Sequence, residues 1–516
     1  MKTADILAEN TSLKSEVKSL KSQLQLAEAR LALLTQKKFQ KKSEKYTDQL
    51  LLPFEFNEVE VIADAAKASE ADEITVPEHT RKKRKSRAET LTPDHLPRVE
   101  VHHHPETKEC PCCQSPMQEA TPEVQEQLAC LPSKYYVVRN IYHKATCSCK
   151  EQAPISAPRP PRALPKSSIH AMAVATWIEQ KYDYGLPLYR LERMAKADNV
   201  GVSRDTIANA IIRVSREFLQ PLVNLMNESI LEHDMLWIDE TSVQVLKEPG
   251  RAAESKSYFW IRRGGPPGQE AITLDYQMRR NHETCEYLLP DYRGYLISDA
   301  YSGYISMGKT RHVTSVLCSD HARRKFKEAY DTLDKESRKT SVSNEALRRY
   351  AQLYRLEELY KNADPVHRLK MRQEKALPLW NSFIQWMEKI QFEGVAHEKT
   401  TTAINYFLNH KDGLMAYLTD GRLPISNILA EHVAKHVAVS RKNFLFSCTP
   451  SGATASANCF SIIQTAKLHG HQAHKYLAVL LSELPSKQEA GQIEGYLPWN
   501  ITPAEVAKRY SKLPTV

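Results

Sequence analysis

The first residues in this chain whose type and spacing could do chemistry are carboxylates at the ends and middles of apolar runs. The segment 236–246, Leu-Trp-Ile-Asp-Glu-Thr-Ser-Val-Gln-Val-Leu, reads as a β-strand from its branched and apolar content, and it carries Asp239 and Glu240. Further strands are expected at 258–261 and 271–274, and the run 294–301 gives a short apolar strand ending in Asp299. One carboxylate on each of two strands suits Mg²⁺, a hard cation that takes oxygen ligands at about 2.1 Å and needs few of them from the protein. Two such ions about 3.5–4 Å apart can activate water or a 3′-hydroxyl and stabilise the leaving oxygen of an in-line phosphoryl transfer. A third acid for such a site would come from a helix. Taken singly, each Asp is equally well explained as a strand-end cap or turn residue.

The second set is thiols. Of ten cysteines, six fall between Cys110 and Cys149. Cys110-Pro-Cys-Cys113 and Cys147-Ser-Cys149 flank a strand-like stretch at 135–142, an arrangement that resembles a zinc ribbon, in which four thiolates tie together a module too small for its own core. The first pair, Cys110 and Cys113, has the usual two-residue gap; the second, Cys147 and Cys149, has one residue between its members. Cys112, Cys130 or one of His102, His103 and His104 could substitute as ligands, and a small β module with free thiols is the alternative. So few cysteines in 516 residues exclude a secreted disulfide scaffold. No apolar run is long enough for a membrane span and no signal-peptide core opens the chain, which predicts a cytoplasmic protein.

The elements that must position these groups follow from periodicity and charge. Ile6, Asn10, Leu13, Val17, Leu20, Leu24, Ala27, Leu31 and Leu34 recur in steps of four and three, a heptad seam that predicts self-association as a coiled coil, with Asn10 available to fix register. The net charge of +9 is modest for this length, but it is concentrated. Lysines cluster at 37–45, and Arg81, Lys82, Lys83, Arg84 and Lys85 open a run of six cations in seven residues that suits phosphate contact through counterion release. Prolines at 154–165 mark a connector. Beyond it, 186–193 and the turn Gly201-Val-Ser-Arg-Asp-Thr206 precede a helix at 207–218, a pair that reads equally as a helix-turn-helix or a plain helical hairpin.

Several later segments stand in a distinctive order. Ser319-Asp-His-Ala-Arg-Arg-Lys-Phe326 opens a helix after a strand at 314–318; a helix-rich stretch runs from 331 to 420; then come Asn427-Ile-Leu-Ala-Glu431, Ser440-Arg-Lys-Asn-Phe-Leu-Phe446, the helix 453–468 and Leu497-Pro-Trp-Asn500. Together with the leucine-rich N-terminus, the Cys pairs, the Asp-Glu-Thr strand and the Asp-Ala-Tyr strand, this order resembles the transposases of the bacterial insertion sequence 66 family over nearly the whole chain.

The resemblance implies an α/β fold, an RNase H-like mixed sheet with flanking helices and a helical insertion, preceded by a coiled coil and a small Cys-rich β module. It implies a coiled-coil helix at 1–50, a basic flexible linker at 51–100, a zinc-binding module at 101–153, a helical DNA-binding region at 165–233, a catalytic core at 234–330 and 421–482 split by a helical insertion at 331–420, and a C-terminal tail at 483–516. Carried over residue by residue, Asp239, Asp299 and Glu431 become a DDE triad holding Mg²⁺ or Mn²⁺, and Cys110, Cys113, Cys147 and Cys149 the ligands of a structural Zn²⁺. Asn427, four residues before Glu431 and so on the same helical face, would orient it or touch substrate. Arg441 and Lys442 would contact phosphates, and His321, Arg323, Arg324 and Lys325 would hold the nucleic-acid backbone, a solvated basic helix face being the alternative. The implied partners are element ends and target DNA, a second copy of the chain and accessory proteins of the same element. Two positions depart from the family pattern: Ile428 stands where a second Asn is usual and His432 where an Arg is usual. The implied reaction is end cleavage followed by joining of the 3′-hydroxyl to target DNA. A nuclease that cuts without joining, a non-catalytic repressor and a degenerate copy are the other readings.

Overall fold

Five apolar runs between 235 and 317 pair into one mixed sheet. In the computed structural model, which describes residues 160–310, 312–487 and 489–514 with short pieces at 135–138, 140, 144–145 and 155–156, these are β1 (Met235–Gln244), β2 (Lys256–Gly264), β3 (Ala271–Gln277), β4 (Gly294–Ser298) and β5 (Val313–Leu317). Their spatial order is β3-β2-β1-β4-β5. β2 runs antiparallel to both β1 and β3, whereas β1, β4 and β5 are parallel. The heptad seam, the basic runs at 37–45 and 81–87, and Cys110, Cys113, Cys147 and Cys149 lie outside the described residues.

The strands differ from the expected ones at their ends, and the differences matter for the site. β1 stops at Gln244 because the Leu246 amide turns to the Ser447 carbonyl, 3.0 Å away. β4 closes at Ser298 and β5 at Leu317, so Asp299 and Cys318 stand just past the last paired residues. Gly294 begins β4 at φ +127°, where a Cβ would collide with the Asp234 carbonyl; no other residue type fits there without moving the strand start. The expected strand at 135–142 is absent from 135–138. Its tyrosines instead anchor to the body: the Trp177 indole donates to the Tyr135 hydroxyl at 3.1 Å, and Tyr136 donates to the Pro514 carbonyl at 2.8 Å.

Before the sheet come α1 (Ala171–Tyr182), α2 (Leu188–Ala197), α3 (Arg204–Val214) and α4 (Gln220–Glu232). Ser203 caps α3 by accepting from the Thr206 amide at 3.2 Å, as its place after Gly201 suggests. A five-residue π-turn at Ser215–Leu219 carries α3 on into α4, so the second helix of the pair continues as one rod, with Ile207, Ile211 and Val214 buried.

Helices α5 (His282–Leu288) and α6 (Ser302–Thr310) flank β4, and α7 (Ser319–Asp331) leaves β5. The insertion is helical as expected: α8 (Lys335–Thr340), α9 (Val342–Leu359), α10 (Pro365–Met371), α11 (Leu377–Glu393), α12 (Glu398–Asn409) and α13 (Lys411–Met415). It has an aromatic core of its own, in which Tyr350, Trp380, Phe383 and Phe407 enclose Phe326 of α7, and Trp380 stacks on Phe407 at 5.8 Å between ring centres. Arg372 is buried at its base, paired with Glu357 at 2.6 Å and donating to the carbonyls of Tyr417, Asp420 and Leu423 at 2.8–2.9 Å. Arg422 then ties the exit of the insertion to Asp234, just before β1, at 2.7 Å.

The chain returns through α14 (Ile428–Phe444), α15 (Pro450–Leu468) and α16 (Ala473–Glu483). α15 covers the edge strand β3: Ser461 Oγ accepts from the Leu274 amide at 2.8 Å, and Thr465 Oγ1 accepts from the Ile272 amide at 3.0 Å. An edge that would otherwise invite another strand is thereby closed by two hydroxyls on an alanine-rich helix. Within the segment 483–516, read as a tail, α17 (Ala490–Glu494) and α18 (Pro503–Tyr510) pack onto this body, with Leu497, Ile501 and Val506 buried. Among the described residues no helix is long and apolar enough to cross a membrane.

Candidate active site

Register brings the first two acids together. In the parallel pair β1 and β4, pairing ends with Trp237 opposite Ile297; Asp239 and Asp299 follow two residues further along each chain, close enough for the Asp299 charge to act on Asp239. In the next parallel pair Ser298 lies opposite Leu317, which sets Cys318 level with Asp299. Asp239 thus stands mid-way along β1, while Asp299 and Cys318 stand just past the carboxyl ends of the next two strands.

Glu431 arrives from α14, in its first turn, where a carboxylate is favoured by the helix dipole. The helix is aimed by Asn427. This residue occupies the N-cap position but makes no side-chain cap; its Nδ2 donates to the Ile238 carbonyl at 2.8 Å, and its main-chain amide donates to Cys318 Sγ at 3.2 Å. Asn427 is fully buried, so its side chain faces β1 and not the open cleft. Glu431 is itself buried. One of its oxygens, Oε1, lies 3.6 Å from His321 Nδ1 and 3.5 Å from Cys318 Sγ, and the other, Oε2, lies 3.8 Å from Arg324 and 3.6 Å from Lys435.

Arg280 and Glu240 complete the other wall. Glu240 follows Asp239 directly, accepts from the Tyr304 hydroxyl at 2.5 Å and pairs with Arg280 Nε. Arg280 lies over the Tyr301 ring at 3.8 Å and approaches Asp299 at 3.7 Å. Asp299 Oδ1 also accepts from the Tyr301 amide at 3.0 Å, so it does serve as the turn residue that its position suggested. Burial and then the charges of Glu240, Asp299 and Glu431 push the Asp239 carboxyl up to about 8. Burial raises Glu240 as well, against the opposing pull of Tyr304 and Arg280.

Asp299 and Arg280 border an open cleft of about 430 Å³, lined also by His321, Arg324, Lys325 and Tyr406. Arg324 is exposed in it, and Lys325 lies 4.6 Å from the Tyr406 ring; Arg323 stands on the same helix, half-buried. Further along α14, Arg441 donates to Ser242 Oγ at 3.0 Å and Lys442 is exposed. At position 432, partial desolvation and then the Lys435 cation hold the imidazole below the usual histidine range, so it carries little charge at neutral pH.

Sequence reasoning missed Arg280, whose partners Glu240 and Asp299 are distant in the chain; the pair Arg279-Arg280 directly after a strand was the available signal. It also missed Cys318, although Cys318 and His321 have the two-residue gap familiar from metal ligands.

A family model described as "Transposase IS66 family" matches residues 166–455, more than half of the 516 residues, and the chain belongs to that family of transposases. Three further models of the family match in order: "Transposase C of IS166 homeodomain", a leucine-zipper module, at 26–101, the "zinc-finger binding domain of transposase IS66" at 107–150, and the "IS66 C-terminal element" at 461–499. Membership implies DNA as the partner. Among curated relatives, the uncharacterized protein y4hP of Sinorhizobium fredii (strain NBRC 101917 / NGR234) is 27% identical over 458 residues, 86% of this chain and 82% of its own. The uncharacterized protein y4jD of the same strain is 27% identical over 423 residues, 79% of this chain and 81% of its own.

Proposed function

We propose that this chain cleaves the ends of a DNA element and joins the freed 3′-hydroxyls to target DNA, using Asp239, Asp299 and Glu431 on an RNase H-like sheet to hold Mg²⁺ or Mn²⁺. The observation that carries this reading is the pairing of Trp237 with Ile297, two residues before Asp239 and Asp299, together with the bond from Asn427, on the helix of Glu431, to the residue before Asp239. A five-stranded mixed sheet, with Asp239 on its middle strand β1 and Asp299 just past the end of the neighbouring parallel strand β4, supports the fold assignment.

The residues fit a hard divalent cation. They are oxygen donors, and burial, followed by the neighbouring carboxylates Glu240, Asp299 and Glu431, holds the Asp239 carboxyl up to about 8, a crowding of negative charge that a divalent cation would offset. When bound, such ions polarise the scissile phosphate and lower the pKa of the attacking hydroxyl. The chain's own part is placement and charge neutralisation. Arg280, anchored by Glu240, and Arg324 and Lys325 would bind backbone phosphates across the cleft; Asn427 would hold Glu431 on station. Arg441 and Lys442 extend the positive track along α14, and Arg81, Lys82, Lys83, Arg84 and Lys85 would add sequence-independent contact. Cys110, Cys113, Cys147 and Cys149, all within the zinc-finger match, would hold a structural Zn²⁺.

The test is a labelled duplex carrying the element's terminal repeat, incubated with the purified chain and Mg²⁺. Cut and joined strands are expected, and none from Asp299→Ala. Cleavage surviving that substitution would refute the assignment; binding without any cleavage by the unaltered chain would point to a repressor or degenerate copy. The N-terminal seam would pair two ends, so deletion of 1–34 should abolish a paired-end complex and spare single-duplex binding.

A further inference from the structure

Beside the acid set lies a second, chemically different donor group. Cys318 Sγ, His321 Nδ1 and a Glu431 carboxylate oxygen all lie within 4.8 Å of one another. The distances from Glu431 Oε1, 3.5 Å to Sγ and 3.6 Å to Nδ1, match the edges of a coordination tetrahedron. Zinc bonds of about 2.0–2.3 Å give tetrahedral edges of about 3.3–3.7 Å. His321 Nδ1 is buried and has no hydrogen-bond partner, so its lone pair is free once the ring is neutral. Burial and then the Asp320 and Glu431 charges push the Cys318 thiol well up, and the Asn427 amide, donating to Sγ at 3.2 Å, and the His321 amide oppose that shift, so the thiol gives up its proton only on binding a cation. The closest approaches of Arg324 and Lys435 to Glu431 are to its other oxygen, and Oε1 is the one that Cys318 and His321 face. His321 lines the cleft and so gives a path for entry.

We propose that Cys318, His321 and Glu431 form a site for a borderline-soft divalent cation such as Zn²⁺, with its fourth position open to the cleft, and that filling it withdraws Glu431 from Asp239 and Asp299. The thiol proton passes to solvent as the Sγ–metal bond forms, and no redox change is involved. Mg²⁺ has no use for the sulfur or the imidazole, so the two metals would compete for one carboxylate and zinc would act as an antagonist of strand chemistry. The antagonism rests on the function proposed above; the site itself does not.

The experiment uses the full chain, reduced with a phosphine, in wild-type, Cys318→Ser and His321→Gln forms. Co²⁺ and Zn²⁺ serve as probes. Bound metal is counted after dialysis, and the sulfur-to-cobalt charge-transfer band is recorded; any Cys-module contribution is common to all three proteins. Cys318→Ser should bind one equivalent fewer and lose part of the band, and His321→Gln should weaken that equivalent by more than about tenfold, the least that even an outer-shell loss produces. Circular dichroism checks that each variant is folded, and His321→Gln, at the cleft wall, stands in should the buried Cys318→Ser fail to fold. Equal stoichiometry and equal spectra in all three proteins would overturn the site. Zinc titrated into the Mg²⁺ cleavage assay, each variant scaled to its own activity, should inhibit wild type at concentrations at least about tenfold below those needed for either variant. Equal inhibition would overturn the antagonism. If no protein cleaves DNA, the proposed function fails while the cobalt result still decides the site.

Discussion

The side-chain amide of Asn427 donates to the main-chain carbonyl of Ile238 at 2.8 Å, pinning the start of the helix that carries Glu431 to the strand residue directly before Asp239. This bond helps hold the helix of Glu431 against the strand of Asp239. Asn427→Ala leaves the Ile238 carbonyl buried and unpaired, a cost of about 1–3 kcal/mol. It should lower cleavage by about a hundredfold, the usual penalty for a displacement near 1 Å. Asn427→Asp should do no better, because a carboxylate cannot donate. Single-turnover cleavage and urea unfolding of the same samples check both effects.

The Asp239 carboxyl, at about 8, stands well above its unfolded value of about 3.9. The native chain therefore keeps a proton that the unfolded chain releases. Stability from this source is full below about pH 4 and is lost as pH rises through about 8. In chelator, the melting temperature of wild type should fall over that range more steeply than that of Asp239→Asn. Glu240 is shifted the same way, so the variant should keep part of the slope. Metal-dependent cleavage should run the opposite way and rise with pH, because a liganding carboxyl must give up its proton.

Much of this site was legible in one dimension. Asp239 falls within a strand, Asp299 just past the end of another, and Glu431 in a helix, as the residue types and spacing predict. What one dimension could not give was the lateral register. Nothing in the runs 235–244 and 294–298 says that Trp237 meets Ile297, since that depends on the third strand and on Gly294 clearing Asp234. Arg280 was invisible because its value comes from Glu240 and Asp299, brought close only by the sheet. The end of the chain, 483–514, looked like a tail because its apolar residues are sparse; Leu497, Ile501 and Val506 find a core supplied by other elements.

Arg280 is held by Glu240 on one side and by the Tyr301 ring on the other, 3.8 Å away, which leaves its remaining donors turned toward Asp299 and the cleft. Arg280→Ala should reduce cleavage by about tenfold to a hundredfold, the worth of a charge-assisted hydrogen bond. Arg280→Lys should recover little, because an ammonium cannot span Glu240 and a phosphate as a planar guanidinium does. Comparison of rates at saturating DNA separates this from weakened binding.

Arg372 and Glu357 form a pair at the base of the insertion with three carbonyls on the same guanidinium. Arg372→Ala strands Glu357 and those carbonyls, and should cost about 3–5 kcal/mol. Trp380, in the adjacent aromatic core, offers a fluorescence readout. The loss should appear as a lower denaturant midpoint, and replacing both partners by apolar residues should recover much of it.

The most direct measurement of the central claim is cleavage of a labelled terminal-repeat duplex by wild type, Asp239→Asn, Asp299→Asn and Glu431→Gln in Mn²⁺, with duplex binding measured on the same samples. All four proteins should bind the duplex, and only wild type should cut it. A variant of any of the three acids that cuts at the wild-type rate would contradict the account.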